Sequence, residues 1–179
     1  MKKYPAIFSA ATAISLVCAA ALNASDTGAR PIGENPILDP LGESWVLGFQ
    51  QSKGNVRLME FVPKGESVSQ WTQMATMLVI DKVKDQNLEE FVANAKAGLL
   101  QRCSSGPSLT VIGKKTVSGL PARVLLMECR SYPNGKPESQ VQLVVAGHDA
   151  VYAFQRAEKR PRLDPPTVKK MVRFVKKMR

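Results

Sequence analysis

The chain has 179 residues, 44 % hydrophobic and 22 % charged, a composition unlike that of a disordered chain and fitting one globular domain. No stretch recurs at a fixed period, so neither a solenoid nor a propeller is expected. The formal charge of +10 is uneven: residues 25–155 hold thirteen basic and thirteen acidic side chains, whereas residues 156–179 hold ten basic ones against Glu158 and Asp164.

The chain opens with "MKKYPAIFSAATAISLVCAAALNAS": two lysines, a mostly apolar run from Ala6 to Ala21, then small residues suited to cleavage after Ala21 or Ala24. Residues 1–24 are therefore predicted to be a signal peptide, with export to a bacterial periplasm or secretion. Two other readings compete. A membrane anchor would need a longer apolar run. A lipoprotein acylated at Cys18 would have a small residue where Val17 stands.

Residues 25–44, rich in proline and glycine, are expected to be a flexible lead-in, and 45–179 a single domain. "WVLGFQQ" and "NVRLMEFV" read as two strands around a short turn. In "PKGESVSQ", Ser67 and Gln70 are spaced to cap a single helical turn that carries Trp71. "TQMATMLVI" resumes strand character, with Met74, Thr76, Leu78 and Ile80 on one face.

The spacing of Leu88, Phe91, Val92, Ala95 and Leu99 predicts a helix behind an Asn87 cap, with Cys103 at the edge of the same stripe. "LTVIGKKTV", the turn "SGLP" and "ARVLLMECR" follow. Cys129 there shares parity with Leu125 and Met127 and should face inward. Removal of Cys18 by export would leave Cys103 and Cys129, an even pair predicted to form a disulfide in an oxidising compartment. "SYPNGKPESQ" reads as a hairpin loop with Asn134-Gly135 at its tip, and "VQLVVAG" and "AVYAFQR" as a last hairpin turning at His148-Asp149. The order is β-β-β-α-β-β-β-β-α. It predicts an α+β fold, an antiparallel sheet of about six to seven strands packed by two helices.

Chemistry is sparse. His148 is the only histidine, and its turn setting is where a polar residue is expected anyway. Dinucleotide, phosphate-loop and CxxC motifs are lacking, and two cysteines with one histidine show no ligand spacing. No catalytic residue, metal site or cofactor is expected. Met59, Met74, Met77 and Met127 read as core filler, and Trp71 as a packing anchor or the wall of a groove.

The segments "LMEFVPKGESVSQWTQMATML" and "LMECRSYPNGKPESQVQLVVAGHDAVYAFQRA", with the helix ending at Cys103 between them, resemble a group of small secreted proteobacterial proteins of no assigned activity. The marks are a PxGE loop followed by Trp71, the paired cysteines and the "GKPE" hairpin. The resemblance covers roughly residues 45–179 and implies a PsbP-like fold. It implies no chemistry.

At the C-terminal end, Asp164 and Pro165 open an amphipathic helix. Val168, Met171, Val172, Phe174, Val175 and Met178 lie on one side, Lys169, Lys170, Arg173, Lys176 and Lys177 on the other. The apolar side either packs on the sheet or enters an anionic membrane as a peripheral anchor. The basic side, with Arg156, Lys159, Arg160 and Arg162, is the predicted contact surface for an acidic protein or another anionic envelope component. Nucleic acid fits the charge but not the compartment. The expected function is thus a non-catalytic accessory or binding protein of the envelope; a small hydrolase with a groove near Trp71 and His148 is the alternative.

Overall fold

A computed structural model describes residues 41–81 and 87–177, so the predicted signal peptide and residues 25–40 of the lead-in lie outside the described residues. Seven strands run β1 (Trp45–Lys53), β2 (Val56–Pro63), β3 (Gln73–Asp81), β4 (Ser108–Val117), β5 (Leu120–Cys129), β6 (Glu138–Ala146) and β7 (Ala150–Glu158). Helix α1 (Leu88–Arg102) follows β3, and α2 (Pro165–Val175) follows β7. The strands form one antiparallel sheet in the order β1-β2-β3-β7-β6-β5-β4. The predicted element order and α+β layout are those observed.

Burial follows position in the sheet. The central strands β6 and β7 are covered on both faces, as their near-continuous apolar runs require. The edge strands β1 and β4 are largely exposed, and each carries a bulge, at Leu47/Phe49 and Val111/Gly113. Bulges twist an edge away from pairing with another sheet. Between β4 and β5 both turn residues, Ser118 and Gly119, have positive φ (50° and 82°), the geometry that suits a two-residue hairpin turn.

Alternation along β6 assigns the two helices to opposite faces. On one, Val141, Leu143 and Val145 pack with Met77, Val124 and Phe154 beneath Met171, Phe174 and Val175 of α2. On the other, Val144 and Ala146 pack with Leu78, Leu125, Met127 and Ala153 beneath Leu88 and Leu99 of α1. The Asn87 side chain accepts from the backbone N–H of Glu89 and Glu90, as the cap signal predicts. At the described end of the lead-in, Leu41 is buried in the α2-side core, and Lys64 N–H donates to the Ser44 carbonyl at 2.9 Å.

Ser67 and Gln70 do not start a helical turn. Their backbones exchange hydrogen bonds (3.2 and 3.0 Å) around a tight turn at Val68-Ser69. Glu66 closes the loop by accepting from the N–H and hydroxyl of Thr72 at 2.7 and 2.6 Å. A Cβ on Gly48 of β1 would meet Val68 Cγ1 at 2.9 Å, so glycine permits this close approach. Trp71 is thereby lowered into a small cluster with Val62, Met74 and Ala157.

Cys103, the C-cap of α1, is bonded to Cys129 at the end of β5, with their Cα atoms 5.7 Å apart. The bridge ties α1 to the sheet across 26 residues of sequence, a closure worth about 3–4 kcal/mol in the chain-entropy account. Thiol labelling of the exported, denatured and unreduced protein should modify neither cysteine, and reduction should lower the unfolding midpoint accordingly. Labelling of both would remove the bridge.

Candidate functional site

Docking of α2 creates the first surface. The Asp164 carboxylate accepts from the N–H and hydroxyl of Thr167 at 2.8 and 2.9 Å and fixes the start of the helix. The N–H of Leu163, donating to Glu128 Oε1 at 3.0 Å, ties the approach to β5. Phe174 then stacks on Phe154 with centroids 5.4 Å apart and lies 6.1 Å from Trp45. With Met171, Phe174 and Val175 buried, Lys169, Lys170, Arg173, Lys176 and Lys177 are all exposed on the opposite side. None makes an ion pair among the described residues, and neither does exposed Arg162. Lys115 of β4 joins them. Its pKa is lowered first by burial and then by the charge of Lys176.

Three predicted members of this surface make other contacts. Arg156 is only 8 % exposed. Its guanidinium carbon sits 4.7 Å from the Phe174 centroid and 5.6 Å from the Trp45 centroid, and Nη2 donates to Gln73 Oε1 at 2.6 Å. It braces α2 against the sheet, because its parity on β7 matches Phe154 and turns it inward. Arg160 is exposed but paired with Glu158 (2.8 Å) and Asp164 (3.3 Å), so its charge is spent locally. Lys159 continues the parity of Ala157 onto the α1 side, where Nζ lies 4.5 Å from the Trp71 centroid.

That ammonium marks the second site. A cleft of about 40 Å³ is lined by Trp71, Tyr132, Asn134, Lys136, Glu138 and Lys159, with Ser69 and Pro137 completing its wall. Trp71 is thus a groove residue and a packing anchor at once. Glu138 is 9 % exposed. Burial pushes its carboxyl up to about 7, Glu60 adds to the rise, and Arg102 and Lys159 oppose it. Tyr132 is pushed up to about 12, by burial first and then by Glu138. Burial likewise raises Glu60 and lowers Arg102.

The cleft opens beside a polar row on the α1 side of the sheet. Register places Glu60 opposite Thr76, Thr76 opposite Gln155, and Gln155 opposite Gln142. Gln140 and Glu138 continue the line along β6. Thr76 Oγ1, Gln140 Oε1 and Gln142 Oε1 are buried without a hydrogen-bond partner among the described residues. Sequence reading missed these groups because "SYPNGKPESQ" looks like loop throughout. In the structure β6 begins at Glu138, and the alternation Glu138, Gln140, Gln142, Val144 was the available signal.

His148 is not near this cleft. It lies exposed in the β6–β7 turn, whereas Trp71 and Glu138 lie at the far end of those strands, roughly 30 Å away at ~3.3 Å per residue. The predicted groove shared by Trp71 and His148 does not form. No group of three or more metal-ligating side chains occurs among the described residues. No protein-family model and no curated protein matches the chain.

Proposed function

We propose that this chain is an exported, non-catalytic accessory protein of the bacterial envelope, with a PsbP-like fold, that contacts an acidic partner through the basic face of α2. One observation carries the reading: the apolar side of α2 is consumed by the core, which holds outward on one face five cations that make no ion pair among the described residues. Such a face raises the encounter rate with an anionic surface and fixes its orientation. The disulfide is the chemistry of an oxidising compartment, which supports export. No helix among the described residues is long and apolar enough to cross a membrane. With Met171, Phe174 and Val175 engaged in the core, attraction to anionic lipid would rest on the basic side chains alone.

Replacing Lys169, Lys170, Arg173, Lys176 and Lys177 together by glutamate tests the proposal. Because all five are exposed, thermal unfolding should shift little, with roughly 0.5 kcal/mol or less per site. Crosslinking in intact cells should capture an acidic envelope protein with the parent chain and lose it with the variant. The interaction should also weaken as salt rises. Retention of every partner by the variant would reduce the basic face to a solvated surface. Salt-sensitive binding to anionic phospholipid vesicles with no protein captured would make the partner a lipid headgroup.

A further inference from the structure

Glu138 is a buried acid with no hydrogen bond or ion pair of its own among the described residues, yet it lines a cleft. Its carboxyl oxygens are not among the fully enclosed polar atoms that lack a partner, so they stay accessible beside the cleft that Glu138 lines. The other charges lining that space are cationic. Lys136 stands exposed at the rim, and Lys159 lies over the Trp71 ring.

We propose that this cleft binds the carboxylate of a small organic acid, held between the ammonium groups of Lys136 and Lys159 and the carboxyl group of Glu138. Size selects the ligand class. A cavity needs about 10–15 Å³ to admit one water, so about 40 Å³ takes a group of roughly three heavy atoms. A planar carboxylate has that size and a tetrahedral phosphate exceeds it. The rest of the acid stays at the open mouth, where Asn134 and Ser69 offer polar contacts.

Charge selects the protonation state. In the complex the Glu138 O–H donates to one carboxylate oxygen, so that one proton is shared between two acids, while the two ammonium groups attract the one negative charge that remains. Burial, with Glu60 from β2 adding to it, outweighs Arg102 from α1 and Lys159 and leaves the Glu138 carboxyl at about 7, and Tyr132 from the β5–β6 loop faces it as well. Tyr132 stays neutral throughout this range. Above pH 7 two carboxylates would face each other and affinity must fall.

The full exported chain can be titrated with sodium acetate at constant ionic strength, following the Trp71 indole N–H by nuclear magnetic resonance. Saturable binding is expected at pH 6, about tenfold weaker at pH 8, because the fraction of protonated Glu138 falls by that factor about a carboxyl at about 7. Glu138→Gln keeps a donor at every pH, so its binding should be as strong at pH 8 as at pH 6. Lys136→Met, at an exposed position remote from the core, should weaken acetate about tenfold, the loss of one charge-assisted contact. Absence of saturation at pH 6 would overturn the proposal, and so would sodium phosphate binding more tightly than acetate. It would fall equally if the pH profile survived Glu138→Gln or the affinity survived Lys136→Met; should Glu138→Gln not fold, Lys136→Met decides. The charge-reversed α2 variant should bind acetate normally, since α2 lies across the sheet.

Discussion

Val175→Asp is expected to abolish the cooperative fold of the domain. Val175 is completely buried in the α2-side hydrophobic core together with Phe154 and Leu143. An unpaired charge in such a place costs several kcal/mol beyond the lost packing of the valine side chain. A domain of this size holds about 5–15 kcal/mol in all, so one substitution removes a large fraction of it. Lys176→Asp, one residue further on and exposed, supplies the control and should melt with the parent. Circular dichroism and thermal unfolding on the pair give the answer. A Val175→Asp protein that unfolds like the parent would mean that α2 is undocked in solution, with its apolar face free for lipid.

That contrast rests on a pattern legible in the residues themselves. Asp164 before Pro165, and apolar residues at helical spacing after them, specify both the start of α2 and the side it buries. The disulfide was legible for a similar reason, because helix spacing and strand parity aim Cys103 and Cys129 at one core. Arg156 shows the limit of adding charges along a sequence. Its parity with Phe154 and Tyr152 outranks its membership of a basic tail, and it ends under an aromatic ring. Lys159, two residues beyond Ala157, turns to the other face for the same reason.

The cleft was hidden by turn chemistry. Pro133, Asn134, Gly135 and Pro137 mark a loop so strongly that the strand beginning at Glu138 is masked, though only the tip, with Gly135 at φ +75°, requires it. Lys115 was illegible for a different reason. Its closeness to Lys176 depends on β4 forming the sheet edge beside α2, and strand order is a long-range property that local pattern does not carry. The Ser67–Gln70 turn is a competition between two local solutions. The Glu66–Thr72 hydrogen bonds close the loop in a way that a helical turn from Ser67 would not.

Glu138→Gln should stabilise the protein by about 3 kcal/mol at pH 8 and hardly at all at pH 4. The folded chain holds this proton up to about pH 7, while an unfolded chain releases it near the ordinary value of 4.5. Between those limits folding takes up a proton, so the contribution of Glu138 to stability is fully present below about pH 4.5 and is lost as pH rises through about 7. A separation of roughly 2.5 pH units corresponds to about 3 kcal/mol. Glutamine has nearly the same shape and no proton to lose, so the difference between the two proteins isolates this one titration from every other acid in the chain. Urea unfolding of both at pH 4, 6 and 8 measures it. A carboxyl group so placed would lower stability at neutral pH, and the proposed carboxylate site gives it a use. Parallel stability curves across the three pH values would show Glu138 titrating as an ordinary exposed acid, and the cleft would then lack the protonated donor on which its ligand depends.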